Sequence, residues 1–511
     1  RKKTAGRKLF EFFCARRLED KFTKDQILLL YLNFAYFGHG CWGLESASRF
    51  YFGKPARELE LAECAMLAGI IASPNNYSPH DNLELAKARH RTVLRRMAAA
   101  GFIPESAIER YSTEFWARME SRLNQPEVSF WRMRVNEAPY VVEAVRRQLE
   151  KDYSKERILK GGLRVRTTVD LALQKAAQEA MAAGLRETAT AAKAEPGAKT
   201  PPLEGALVAL DPKDGAVLAA VGGRGFDFRN QLLRSFDIRR PIGSSVKPFI
   251  YAEAIESGKF KPDDTMVDEP ISFKNPGGKA WKPQNYGGKY YGKVTLAQAL
   301  AKSLNSVAIR ILDAVDIDAV ISLLSKATGR EPKDFPRNLS LALGTVDLSP
   351  AELAAAYSLF VNGARPVQPH LLAAVEDRDG HPLKEWAAPP PAEVALSSRT
   401  CAAAIELMRG VLAEGGSAYG AAQRAGFSLP AAGKTGTTND YRDAWFAGVT
   451  PDLAAAVWLG HDDMRVALGQ GATGGALAAP IWMRFIKEAY RNRPTREFDT
   501  IAPVESAHAA P

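Results

Sequence analysis

The chain has 511 residues, 46% of them hydrophobic, with 68 basic against 58 acidic side chains and a formal net charge of +10. That length and apolar content mark a globular chain of several domains with sizeable cores. The basic balance favours an anionic partner, and charge alone does not choose among nucleic acid, an acidic membrane surface and a phosphorylated substrate.

The chain opens on Arg1-Lys2-Lys3 with neither an initiator Met nor a signal peptide, so an N-terminal part of the native protein is expected to be missing. Residues 24–33 carry Ile27, Leu28, Leu30, Tyr31 and Leu32 at spacings that predict a helix with a broad apolar face. Gly38, Gly40 and Gly43 predict a turn, followed by a short helix ending in Tyr51-Phe52-Gly53-Lys54-Pro55. Residues 59–71 predict a second apolar helix with Glu60 and Glu63 outward. Both apolar helices read as core. Neither approaches the run of about eighteen apolar residues that a membrane span needs.

Residues 111–204 read as a connector, with a strand-like Leu163-Arg164-Val165-Arg166-Thr167 stretch, an alanine-rich helix from Leu171 and a flexible surface loop over 188–202. Two apolar runs, 207–212 and 216–221, flank Lys213-Asp214-Gly215 and predict the first hairpin of a catalytic domain spanning 205–490. Past Arg491 the polar tail, 491–511, is expected to be disordered. Cys14, Cys41, Cys64 and Cys401 lack C-x-x-C and zinc spacing and the histidines are scattered, so no metal site is indicated; two or more of the cysteines could pair in an oxidising compartment, with buried free thiols the favoured expectation.

The chemistry is concentrated at Gly243-Ser244-Ser245-Val246-Lys247-Pro248. Pro248 fits only a first helical turn, so a helix begins near Ser244 and places the Lys247 amine one turn from the Ser244 hydroxyl. That is a nucleophile beside a general base. The base works near neutral pH only if burial or a second cation lowers its pKa. One S-x-x-K means little, since roughly one or two arise by chance in a chain this long. Here Ser303-Leu304-Asn305 and Lys434-Thr435-Gly436-Thr437-Thr438 follow in the order of the penicillin-binding signature. Ser303 and Asn305 alone would read as helix-cap or turn residues. No base-stacking or groove-reading motif accompanies the basic charge, so nucleic acid is not the expected partner.

From about 205 to 489 the chain resembles the transpeptidase domain of penicillin-binding proteins. Carrying the match are the three motifs, Trp281-Lys282-Pro283-Gln284-Asn285-Tyr286, Ala342-Leu343-Gly344-Thr345 and Ala479-Pro480-Ile481-Trp482. Residues 1–110 resemble the C-terminal part of the glycosyltransferase domain of the class A members, through Arg7-Lys8-Leu9-Phe10-Glu11, the run from Lys24 through Tyr31-Leu32-Asn33, Tyr51-Phe52-Gly53-Lys54 and Leu61-Ala62-Glu63. The resemblance implies a multidomain protein: an α-helical, lysozyme-like glycosyltransferase portion, then a serine beta-lactamase-like α/β domain with an antiparallel sheet flanked by helices.

For the transpeptidase, the resemblance implies Ser244 as nucleophile and Lys247 as base. Ser303 would relay a proton, Asn305 would hold the substrate amide and Lys247, and Lys434 would supply the second cation. Thr435, Gly436, Thr437 and Thr438 would form the substrate strand, with the oxyanion on the Ser244 and Thr437 N–H groups. For the glycosyltransferase, Arg7 and Lys8 would bind the pyrophosphate of lipid II, and Glu11 would be its second carboxylate. On the residues alone, Arg7, Lys8 and Glu11 also read as a solvated charge cluster. The family's earlier block with the principal catalytic Glu is absent from these residues, so this chain is not expected to polymerise glycan, and Leu29 stands where the family usually has Glu. No cofactor is implied for the transpeptidase, while the glycosyltransferase leaves room for a divalent cation. The implied partners are peptidoglycan stem peptides, lipid II, beta-lactam antibiotics and the cytoplasmic membrane, reached through a missing anchor; the implied location is the bacterial envelope, outside that membrane. A beta-lactamase shares the triad but not the glycosyltransferase-like segment, and a carboxypeptidase or a non-catalytic beta-lactam sensor stays open.

Overall fold

The computed structural model describes residues 5–39, 41–123, 136–191, 201–226, 230–273, 280–386 and 392–498. The chain divides into two compact units, Arg1–Pro139 and Tyr140–Pro511.

The first unit is helical. It contains α1 (Ala5–Lys21), α2 (Lys24–Phe34), α3 (Leu44–Phe52) and α4 (Leu61–Ile70), then longer helices at Leu83–Ala99 and Ile108–Leu123. Thr23 and Gln26 close a capping box at the start of α2, and Gly53 ends α3 in the left-handed conformation (φ 66°). The core is built by Phe37, Tyr51, Phe52, Met66, Leu67 and Ile70, with Phe115, Trp116 and Met119 from the last helix. Trp116 Nε1 donates to His90 Nδ1 at 3.0 Å, so the other ring nitrogen donates to Ala62 O, also at 3.0 Å.

Three expectations change here. α2 is a helix but not a core helix: none of its residues is buried, and Leu29 and Phe34 are 62% and 61% exposed. Its apolar residues run consecutively from Ile27 to Leu32 and so point all round the helix. Glu63 is buried, not outward; its carboxylate accepts the Glu60 N–H at 2.7 Å and meets Lys54 Nζ at 2.8 Å. The α4 N-terminus draws that carboxylate in as a cap. Nor do residues 111–204 form a separate connector: Phe115 and Trp116 complete the first core, while the helix Leu171–Ala191 belongs to the second.

The second unit is organised by a five-stranded antiparallel sheet. In spatial order its strands are Ala432–Thr437, Asp443–Val449, Ala454–Gly460, Glu204–Leu210 and Val217–Val221. The expected hairpin supplies the last two. Helices Leu171–Ala191 and Gly474–Ala489 cover one face, burying Leu207, Ala209, Phe446, Val457, Ile481 and Trp482 together. Alternation sends Trp445 and Trp458 to the other face, where each indole N–H is satisfied: Trp445 donates to Pro241 O at 3.0 Å and Trp458 to Asp443 Oδ1 at 2.9 Å. Past Arg491 the chain stays anchored to residue 498. Arg493 pairs with Asp170 at 2.6 Å, Arg496 with Asp452 at 2.8 Å, and Phe498 is buried. The rest of the expected tail, and residues 192–200 of the expected loop, lie outside the described residues. No helix among the described residues is long and apolar enough to cross a membrane.

Candidate active site

Ser244 sits in a 3-10 turn, Gly243–Val246, that runs into the helix Lys247–Glu256 with Pro248 in its first turn. The turn is wedged from both sides. A Cβ on Gly243 (φ 55°) would lie 2.6 Å from Thr437 O, and one on Gly344 (φ 71°) would lie 1.8 Å from Gly243 O. Only glycine permits that approach. Gly243 N–H donates to Gly344 O at 3.1 Å and Ile242 N–H to Val346 O at 3.0 Å, fixing the backbone that leads into Ser244. Ser244 is half-buried, whereas Ser245 is fully buried, so only the first serine opens onto the cleft.

Lys247 is 0% exposed. Its Nζ donates to Asn305 Oδ1 at 2.7 Å and to Ser303 O at 2.8 Å, with Ser303 Oγ at 3.4 Å. Lys434 is also 0% exposed, and its Nζ donates to Ser303 Oγ at 2.8 Å and to Thr435 O at 3.2 Å. The Ser303 hydroxyl therefore stands between two buried amines. No carboxylate pairs with either one among the described residues. Burial holds the Lys247 pKa well below the ordinary lysine value, and the nearby charge of Lys434 lowers it further. Burial alone brings Lys434 down to about 7. The Lys247 backbone N–H donates to Ser244 O in the turn, but no hydrogen bond joins the Ser244 hydroxyl to the Lys247 amine among the described residues, a looseness common in free enzymes.

Ser303 has φ 61°, uncommon for a non-glycine residue, just after the helix Leu296–Ala301. Asn305 opens the helix Asn305–Ala314 and is positioned by residues the sequence did not single out for a role. The buried Asn285 accepts the Asn305 and Ser306 N–H groups at 2.7 and 3.1 Å and donates to Asp268 Oδ1 at 2.7 Å. Asp268, also buried, receives the Tyr291 N–H at 2.9 Å and the Ser306 hydroxyl. The remaining contact, Asn305 Nδ2 to Gln284 O at 2.8 Å, leaves one Nδ2 hydrogen over.

The K-T-G strand, Ala432–Thr437, is the free edge of the sheet. Beyond its end Thr438 N–H donates to Asp443 O at 3.1 Å. Because antiparallel pairs alternate, Thr437, opposite Ala444, turns its N–H and C=O outward. Thr437 Oγ1 accepts the Gly474 N–H at 3.0 Å and keeps its own proton to donate, while Thr435 Oγ1 shares a hydrogen bond with Ser417 Oγ at 2.7 Å. Gly436 serves packing more than access: a Cβ there would lie 2.3 Å from Ile242 O and 2.5 Å from Ser245 Oγ. Thr438 does not join the group, because its hydroxyl is engaged by Asp443, accepting the N–H at 2.9 Å and donating to Oδ2 at 3.2 Å. Behind it Asp443 is held by a buried ion pair with Arg240 at 2.7 Å. Ser244, Lys247, Ser303, Asn305 and Lys434 thus converge beside an open strand edge. Arg7, Lys8 and Glu11 lie in α1, and their side chains fall outside the described residues.

Comparisons with known proteins agree with this architecture. Residues 1–98 match the Transglycosylase family and residues 205–487 the Penicillin binding protein transpeptidase domain. The chain is 32% identical to penicillin-binding protein 1A of Neisseria gonorrhoeae, across 96% of this chain and 72% of that one. It is 31% identical to the Aquifex aeolicus protein of the same name, across 98% and 76%. The crystal structure of penicillin-binding protein 1A from Haemophilus influenzae superposes with a TM-score of 0.70 at 24% identity, covering 94% of this chain and 88% of that one, which is a likeness of fold. With both domains matched in order and relatives aligned over nearly all of this chain, the chain belongs to the class A penicillin-binding proteins, bifunctional enzymes of peptidoglycan synthesis.

Proposed function

We propose that Ser244 is acylated by the penultimate D-alanine of a stem peptide and by beta-lactams that mimic it. The observation that carries this reading is a pair of buried amines around one serine hydroxyl, with no carboxylate paired to them among the described residues, beside a free strand edge. Such a site lacks one thing, a carboxylate, and the terminus of a D-Ala-D-Ala peptide supplies it. Neutral Lys247 takes the Ser244 proton as Oγ bonds to the carbonyl carbon. The Ser244 and Thr437 N–H groups face the oxyanion, and Thr435 and Thr437 hydroxyls with the Lys434 charge face the carboxylate. The C–N bond then breaks, and the proton returns through Ser303 to the departing D-alanine amine. A stem-peptide amine then attacks the ester carbonyl, and its proton passes to Lys247 and on to the departing Ser244 Oγ as the C–O bond breaks, leaving a crosslink and free enzyme.

For the first unit, Arg7 and Lys8 are proposed to hold the lipid II pyrophosphate and Glu11 to serve as a carboxylate, at the outer face of the cytoplasmic membrane. A divalent cation there would need Glu11, whose side chain is not described, and no step is routed through it.

Ser244→Ala should abolish covalent penicillin labelling without lowering thermal stability. Labelling that survives, or moves to Ser245, would refute the assignment. Product analysis on a crosslinkable glycan distinguishes crosslinks from simple D-alanine release, the carboxypeptidase outcome, and from a stalled acyl-enzyme, the sensor outcome.

A further inference from the structure

Two tyrosines from opposite walls of the cleft meet. Tyr286 directly follows Gln284 and Asn285, which hold Asn305, and Tyr441 lies three residues past Thr438, beyond the edge strand. The Tyr441 hydroxyl donates to the Tyr286 hydroxyl at 3.4 Å, and the rings stand edge-to-face with centroids 6.3 Å apart. At that length the hydroxyl contact opens readily. The two sides are built differently. Tyr286 is 63% exposed and is followed by Gly287 and Gly288, both at positive φ with open space around them. Asp440 and Tyr441 are consecutive non-glycine residues at φ 60° and 53°, and the Leu468 N–H pins the Tyr441 carbonyl at 2.7 Å. Backbone held in that region by its surroundings is often tied to function.

The direction of a bound donor follows from the site, given the reading of Ser244 above. The carboxylate lies toward Lys434 and Thr435, and the acyl carbonyl one residue earlier lies toward Thr437. The donor therefore runs antiparallel to the edge strand, and the residue preceding D-Ala-D-Ala continues toward Thr438 and Tyr441. We infer that Tyr286 and Tyr441 form an aromatic strap over that end of the groove and determine specificity for the donor residue, or beta-lactam acyl side chain, next to the scissile unit. Tyr441 is the fixed side and Tyr286 the movable one. A donor with a side chain parts the hydroxyls and packs between the rings. A donor without one passes beneath them unread.

The test compares second-order acylation of the full chain by a bare penicillin nucleus, which has no acyl side chain, and by a penicillin with an arylacyl side chain. Tyr286→Ala and Tyr441→Ala should each slow the arylacyl reaction about tenfold while leaving the bare nucleus within about twofold. The double variant should be little slower than the worse single one, because either ring grips poorly alone. Tyr441→Phe, which keeps the ring and loses only the hydroxyl, should match or exceed the parent and covers the case in which an alanine variant fails to fold. Equal slowing of both probes, or of neither, overturns the strap while leaving Ser244 as nucleophile. A parent that labels elsewhere than Ser244 takes down both readings.

Discussion

Two buried amines cannot both stay charged without an anion, and their order of deprotonation sets the pH behaviour of the site. Lys247 must be neutral to accept a proton, and Lys434 must be charged to attract a carboxylate. Acylation should therefore rise as Lys247 deprotonates and fall as free Lys434 loses its proton with a pKa of about 7. Lys434→Gln removes a nearby cation, which raises the Lys247 pKa and moves the acid limb to higher pH, and it abolishes the alkaline limb. Because burial is the larger cause, the limb should still stay below the ordinary lysine range. Lys434→Arg should retain the attraction and carry the alkaline limb beyond reach. Rates measured against pH for the three proteins check this; profiles that differ only in height would assign Lys434 to binding alone. The amines, the serines and Asn305 were legible in the sequence because the chemistry needs those residue types at short spacings. The larger contribution of burial was not legible, since it depends on how completely the fold encloses each amine.

Elements far apart in sequence decide whether those residues converge. Asn285 and Asp268 lie 20 and 37 residues before Asn305, and neither has chemistry that would mark it, so the motif reading passed over the role of the one and did not include the other. Asn285→Ala would orphan the Asn305 and Ser306 N–H groups, at about 1–3 kcal/mol for each before relaxation, and would remove one of the two donors to Asp268 Oδ1, which keeps the Ser306 hydroxyl. Thermal stability and acylation should fall together, unlike the Ser244→Ala case. Unchanged melting would show that the cap is dispensable. The glycine wedge behaves similarly. Gly344→Ala places a methyl against Gly243 O, so it should displace the Ser244 turn and cut acylation by at least about tenfold, checked by labelling rate. Amphipathic patterning located α2 and α4 but misjudged their surroundings. A consecutive apolar run does not say which side is covered, and a charged residue in a first turn can be drawn inward as a cap.

At the scale of the molecule, each side chain placed around Ser244 comes from Tyr140–Pro511. A protein of residues 140–498 should therefore acylate with penicillin at close to the parent rate, and a loss beyond about fivefold would mean that the first unit supports the site. The division at 139 was hard to read because no composition shift marks it. Phe115, Trp116 and Met119 pack back onto the first core, and Leu173, Ala177 and Met181 pack forward onto the second. The sheet itself has a further consequence. Its outermost strand presents Thr437 N–H and C=O with no strand beside them, so on the proposed mechanism each turnover would lay a sixth strand on the sheet and peel it away. Deuterium exchange at the Thr437 amide should then be fast in the free enzyme and slow in the penicillin adduct. The Thr438 amide, already bonded to Asp443 O, should be slow in both, which makes neighbouring amides an internal clock for occupancy of the groove.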